Sequence, residues 1–230
     1  MSCHGITAVG TNPASIAVSR ASTRRQAGHS GACPLPTPAA EPTVMHMPRT
    51  AEQWTREQVC ALPDDGRRYE LIDGELVVTP APGSRHQAAV TILCGRIFHA
   101  LEQVPGTAAR LLVSPADLQL GQEEILQPDL FIYRLGHPVK DWRDITSLLV
   151  AIEVLSPSTA RYDRGLKRLR YQRARVPEYW IVDLDGRVVE RWRPDETRPE
   201  VLADRLQWTS GDGAELDLDL EAFFREVGGE

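Results

Sequence analysis

Apolar and polar positions alternate along this chain in two rhythms, and each predicts a different kind of element. Ala89, Ile92, Leu93, Ile97, Ala100 and Leu101 recur at helical spacing after a break at Pro80 to Gly83, which predicts a long amphipathic helix that Ser84 can cap. Before it, Tyr69-Glu70-Leu71-Ile72 and Glu75-Leu76-Val77-Val78 flank Asp73-Gly74, and an Asp-Gly turn between two such runs signals a β-hairpin. In that register Glu70, Ile72, Glu75 and Val77 share one face. Thr50-Ala-Glu-Gln-Trp reads as a capping signal for a short helix ending near Leu62.

Three strand candidates follow the long helix: Arg110 to Leu120, Leu126 to Tyr133, and Ser147 to Leu155. The last contains Leu148-Leu149-Val150-Ala151-Ile152, continuously apolar as a central strand covered on both faces would be. A second helix is predicted from about Asp163, as its N-cap, to Arg175, stopped by Val176-Pro177. Glu178 to Asp183 and Arg187 to Arg193 are further strands, followed by a loop and a terminal helix around Leu220 to Glu226. This order predicts an α/β fold with a central mixed sheet of four to six strands flanked by helices. An N-terminal hairpin is added to it, and the strand-helix-strand crossover is expected to be parallel and right-handed.

Composition narrows the picture. At 230 residues the chain is long enough for one domain plus an extension. Residues 1–47 are rich in small residues and Pro, and contain no acidic residue before Glu41, so they read as a disordered extension, or as the result of a start assigned ahead of Met45 or Met47. Residues 48–230 are expected to fold. No run of about 18 apolar residues is present, so a soluble chain with no membrane segment is expected. Cys3, Cys33, Cys60 and Cys94 are scattered without metal-type or disulfide-type spacing, which fits a reducing cytoplasm. A net charge of −6 excludes a protein that coats nucleic acid through overall positive charge. Of 26 basic residues only Lys140 and Lys167 are lysine, so each lysine invites attention.

The chemistry concentrates on two acidic residues. Pro128-Asp129 opens one predicted strand and Glu153 nearly ends the next, which brings two carboxylates together. A carboxylate at the end of an apolar strand is costly to desolvate unless a cation or hydrogen bonds compensate. Two oxygen ligands suit Mg²⁺ or Mn²⁺, which would polarise a phosphoryl group and activate water. Asp163, Lys167 and Tyr171 follow at helical spacing, so the Lys167 ammonium can reach the metal to hold water or stabilise transition-state charge. Ser156-Pro157-Ser158-Thr159 supplies hydroxyls at a helix start, a natural phosphate position. Arg161, Arg164, Arg168, Arg170, Arg173 and Arg175 surround Lys167 and form the candidate nucleic-acid footprint, with Arg161, Arg164 and Arg168 as the DNA-contacting candidates.

These motifs resemble a known family. Tyr69 to Glu75, His86, Pro128-Asp129, Glu153 to Thr159, Asp163, Lys167, Tyr171 and Val176-Pro177-Glu178-Tyr179-Trp180, in that order, are similar to the Uma-type family of restriction endonucleases. The resemblance spans roughly Thr50 to the C-terminus. It implies the PD-(D/E)XK nuclease superfamily, with a restriction-endonuclease-like core and a Mg²⁺-dependent phosphodiesterase site. It also suggests Glu70 as a third carboxylate and His86 as a contact to metal or substrate. The superfamily pattern puts lysine two residues after the acid, where this chain has Leu155, so Lys167 would stand in for it.

Each residue also has a plainer reading. Asp129 could cap a turn, Glu153 could pair with a buried arginine, and Lys167 could be only the i,i+4 partner of Asp163. Glu70 could be a solvated strand residue, and the arginines a solvated face. The function expected is Mg²⁺-dependent DNA cleavage by Asp129, Glu153 and Lys167, as a homodimer if both strands are cut. The alternatives are a catalytically silent nucleic-acid-binding or regulatory module on the same fold, and a structural dimerisation protein.

Overall fold

A computed structural model describes residues 45–46, 53–63, 65–121, 124–136 and 138–229. The cap expected at Thr50 and most of the N-terminal extension lie outside the described residues. Strand β1 (Met45–His46), inside the expected extension, pairs with β3 (Glu75–Thr79), which in turn pairs with β2 (Arg68–Ile72). The β2–β3 turn is the Asp-Gly turn. Asp73 and Gly74 have φ of 56° and 75°, the left-handed pair that such a turn requires, and a Cβ at Gly74 would lie 2.9 Å from that of Gln53. The short helix α1 (Arg56–Cys60) starts later than expected. Thr55 and Gln58 form its capping box, side chain to backbone in both directions.

The long helix α2 (Ser84–Glu102) buries Ala89, Leu93, Ile97, Ala100 and Leu101, five of the positions its periodicity selected. Gly83 occupies the N-cap, so Ser84 is the first helical residue and makes no capping hydrogen bond. Strands β4 (Ala109–Val113), β5 (Leu130–Arg134), β6 (Leu148–Val154), β7 (Glu178–Asp183), β8 (Val188–Trp192) and β9 (Glu200–Leu202) lie side by side in that order. The strand expected over Arg110 to Leu120 stops at Val113, ahead of Ser114-Pro115, because proline offers no N–H to a ladder. Only an isolated bridge, Leu118 to Leu126, continues the pairing.

Within the sheet β6 and β7 are parallel and every other neighbouring pair is antiparallel. The parallel pair is joined by a helical stretch: α3 (Ala160–Tyr162), a π turn (Asp163–Lys167) and α4 (Arg168–Arg173). Pleating sends alternate residues to opposite faces. Leu130, Ile132, Val150, Ile152, Trp180 and Val182 pack toward α2 and the C-terminal elements, while Phe131, Tyr133, Ala151, Tyr179 and Ile181 pack with Tyr171 and hairpin residues Ile72 and Val77.

The tail differs from the expected loop. Strands β10 (Arg205–Thr209) and β11 (Glu215–Asp219) form a hairpin in which Leu206, Trp208, Leu216 and Leu218 are buried and their neighbours exposed. Helix α5 (Leu220–Gly228) follows, capped by Asp219 Oδ1 accepting from the Ala222 amide at 2.9 Å. Its Phe223 and Phe224 join the core beneath α2. Phe223→Ala should therefore cost about 3–5 kcal/mol in a urea melt; a loss under about 1 kcal/mol would mean that the tail is not integral to the fold.

Candidate functional site

Strand pairing brings the two candidate carboxylates together. The β5–β6 register sets Leu130 opposite Ile152, and one further step sets Asp129 beside Glu153. The Val154 amide donates to Asp129 Oδ2 at 2.9 Å, which ties the residue before β5 to the end of β6. By pleat parity both acids continue the face carrying Phe131, Tyr133 and Ala151. That face is roofed by hairpin β2–β3 and by the helical stretch after β6, so Asp129 is 4% and Glu153 2% exposed.

Lys167 sits among three carboxylates. Its Nζ lies 2.9 Å from Glu70 Oε2, 3.0 Å from Glu153 Oε1 and 3.4 Å from Asp163 Oδ1. The Tyr171 hydroxyl donates to the same Glu153 oxygen at 3.4 Å, and the Gln127 amide donates to Glu70 Oε1 at 2.8 Å. Glu70 is fully buried, which removes the solvated-strand reading. Asp163 is no N-cap. The helix begins three residues earlier, behind a turn whose Ser156 hydroxyl lies 3.0 Å from both the Ser158 and the Thr159 hydroxyl. The backbone then widens into the π turn, closed by the Arg168 amide on the Asp163 carbonyl, which the Tyr179 hydroxyl also reaches at 3.1 Å. Asp163 and Lys167 consequently both face the sheet. Leu155 leaves β6 to pack against the core containing Tyr171.

Asp129 has a separate set of partners. Arg68 Nη1 donates to Oδ1 at 2.8 Å, and His86 Nε2 lies 2.9 Å from Oδ2. Arg68, which was not among the sequence candidates, shares a strand face with Glu70 two residues away, a spacing that marks it in the sequence.

The electrostatics follow from burial. For Asp129, burial would raise the pKa, but the His86 hydrogen bond and the Arg68 charge outweigh it and hold the carboxyl at about 2. For Glu153, burial dominates, and even with Lys167 opposing, the neighbouring acids help keep it well above the usual range. Burial likewise lifts Asp163 to about 6, against the pull of Lys167 and Thr159. Burial would depress Lys167, yet Glu153, Glu70 and Asp163 push it well above an ordinary lysine.

Counted ionised, Glu70, Asp129, Glu153 and Asp163 face Lys167 and Arg68, an excess of two negative charges in a nearly waterless cluster. A divalent cation matches that deficit. Among the described residues no group of three or more His, Cys, Asp or Glu side chains converges as ligands. Asp129 and Glu153 make a two-carboxylate site, and Mg²⁺ accepts one or two carboxylates with water completing its shell. Asp129 Oδ1 takes only the Arg68 hydrogen bond, and both hydrogen bonds to Glu153 arrive at Oε1. Oxygen lone pairs remain to face the cavity of about 270 Å³ that Asp129, Glu153, Lys167 and His86 line together.

The arginine run is not a free positive patch. Arg164 pairs with Asp183 at 2.7 Å and Glu190 at 2.6 Å, Arg170 with Asp73 and Glu124, and Arg175 with Asp195. Arg168 lies over the Trp192 ring at 4.6 Å and donates to the Arg164 carbonyl. Arg161 is exposed at the cavity end of the helix. Charges clustered in sequence are thus dispersed by partners distant in sequence.

A family model, Uma2, described as "Putative restriction endonuclease", matches residues 56–221. Among solved structures, the chain is similar to a crystal structure from Anabaena variabilis ATCC 29413 titled as a putative nuclease belonging to DUF820. The two share 20% identity with a TM-score of 0.63, over 75% of this chain and 98% of the other, a likeness of fold. No curated protein matches.

Raised carboxyl values stabilise the fold only while protonated, so the contributions of Glu153 and Asp163 are present below the ordinary carboxyl range and lost as pH climbs, through about 6 for Asp163. Asp129, held at about 2, contributes stability that is fully present above the ordinary carboxyl range and lost only as pH falls toward 2, so it is constant across the window tested. In EDTA the protein should therefore resist urea better at about pH 5 than at about pH 7.5. Lys167 stays charged throughout that window because its value is raised. Lys167→Met should cost roughly 3–5 kcal/mol at the higher pH and less at the lower; equal losses at both would refute the assignment of opposed charges.

Proposed function

The chain belongs to the Uma2 family of restriction-endonuclease-like proteins, and from that membership we propose that it is a Mg²⁺- or Mn²⁺-dependent endonuclease hydrolysing DNA phosphodiester bonds. The observation that carries the proposal is the buried excess of two negative charges around Asp129 and Glu153. Such an excess is a liability in an apolar interior unless a cation or protons neutralise it. Asp129 and Glu153 would hold the cation. When bound, it supplies Lewis acidity toward a phosphoryl oxygen and neutralises charge developing there.

The protein's own groups prepare that site. Arg68 and His86 keep Asp129 ionised and fix its plane, and Tyr171 and Lys167 aim Glu153 through Oε1. Lys167 has three N–H donors and three carboxylate neighbours. Its longest contact, 3.4 Å to Asp163, is the one it can exchange for an attacking water or a phosphoryl oxygen. Lys167 therefore serves in place of the lysine that Leu155 replaces. Arg161 is the arginine of its helix most free to meet a phosphate, since Arg164 and Arg168 are engaged within the protein. Cutting both strands would call for a symmetric dimer. No helix among the described residues is long and apolar enough to cross a membrane.

Cleavage of plasmid and of single-stranded DNA in Mg²⁺ or Mn²⁺ tests the proposal. Asp129→Ala and Glu153→Ala should each lower the rate by at least about 100-fold, and His86→Ala, which removes a group orienting a ligand, by about 10- to 100-fold. Equal cleavage of both substrates by wild type and both carboxylate variants would sink it in favour of a silent DNA-binding module. Calorimetry at about pH 6 should further detect net proton release on Mn²⁺ binding, because Glu153 and Asp163 hold protons there in the cation's place.

A further inference from the structure

Next to the metal cavity lies a second one of about 500 Å³, and the two share Arg68 and the Pro80-Ala81-Pro82 segment as lining. Its volume falls within the range that holds a nucleotide-sized ligand. Trp142 borders it, on the single 3₁₀ turn Trp142–Asp144, and stays 38% exposed. Trp180, Trp192 and Trp208, by contrast, are buried in the core. A large indole left partly exposed at a cavity rim is apolar surface that folding did not cover and that a stacked base could cover.

The remaining walls complement that face. The Arg67 side chain is 55% exposed, and among the described residues its ion pair with Asp65 is a loose one at 3.5 Å. Ser114 Oγ is buried with no hydrogen-bond partner among the described residues. Gln127 Nε2 donates to Asp117 Oδ1, which leaves the Gln127 carbonyl oxygen as an acceptor on the same wall. An aromatic ring, polar atoms with hydrogen-bonding capacity and an exposed cation are what a nucleotide needs: stacking for the base, hydrogen bonds for its edge and a charge for its phosphate. A base within a duplex has no free face to offer.

Resting on the nuclease reading above, we propose that this second cavity takes an unpaired nucleotide adjacent to the scissile phosphate, its base stacked on Trp142 and its phosphate near Arg67. The enzyme is accordingly selective for single-stranded or gapped DNA over blunt duplex.

Binding is measured on the full chain in EDTA, where no cleavage intervenes, with a single-stranded oligonucleotide of about twelve nucleotides and the matching blunt duplex. The single strand should quench tryptophan emission in the wild type. Trp142→Ala should weaken its binding by about 5- to 150-fold, the range for loss of one stacked base, while Trp142→Phe retains most of the affinity. Unchanged affinity in Trp142→Ala, tighter binding of the duplex, or no oligonucleotide binding by the wild type would each overturn the proposal. Cleavage of plasmid and of single-stranded DNA in Mg²⁺ judges the nuclease reading separately. If Trp142→Ala proves unfolded by thermal melt, Arg67→Glu carries the test: weakened single-strand binding supports the subsite, and unchanged binding overturns it.

Discussion

An ammonium group shut away from water among three carboxylates governs the rest of this molecule. Lys167 is 2% exposed, and Glu70, Glu153 and Asp163 are buried to a similar degree. Each ion gives up hydration worth several kcal/mol, and only close, well-aligned partners restore it. The three acids come from three elements: a hairpin strand, a sheet strand and the helix after it. The ion cluster therefore clamps hairpin, sheet and helix together, and a shift in any of them would leave a charge unpaired. One lysine cannot neutralise three acids, and Arg68 answers mainly to Asp129. The remaining negative charge is the link between how the domain holds together and what it is prepared to bind.

The fold supplies this arrangement through two local irregularities in an otherwise regular sheet and helix. Asp129 sits just before β5, where its carboxylate reaches the Val154 amide and its carbonyl accepts from the Ser114 amide at 3.0 Å. The π turn does the corresponding work on the helix. It accommodates Asp163 and Lys167 on the sheet-facing side, with the Asp163 carbonyl taking both the Arg168 amide and the Tyr179 hydroxyl. Elsewhere arginine is used mainly as a structural partner. Arg164, Arg170, Arg175 and Arg191 bridge segments through carboxylates. This explains why a run of arginines along one helix does not make a positive face.

Much of the fold was legible because burial imposes a period. The spacing of α2, the continuous apolar run of β6 and the Asp-Gly turn each follow from one constraint acting on near neighbours. The C-terminal hairpin carried the same signal, strict alternation across Leu206, Trp208, Leu216 and Leu218. The acidic residues between Leu216 and Leu218 and beyond, poor strand formers by composition, obscured it. The early end of β4 was marked in the sequence by Pro115. The capping box at Thr55 escaped for a different reason: it depends on which of several competent residues the backbone uses, and single-sequence patterns weigh these almost equally.

For the candidate site, the sequence by itself determined the identities: two acids at adjacent strand ends, and a rare lysine at helical spacing from Asp163 and Tyr171. Strand order and period were sufficient because those relations are local or nearly so. Only the tertiary structure decided which charges meet. It buried Glu70 against Lys167, brought Arg68 and His86 to Asp129, and sent Arg164 and Arg170 to acids far along the chain. Coulombic pairing acts through space and is strong only where water is excluded, so the partners of a charge are set by packing between distant segments and not by its neighbours in sequence.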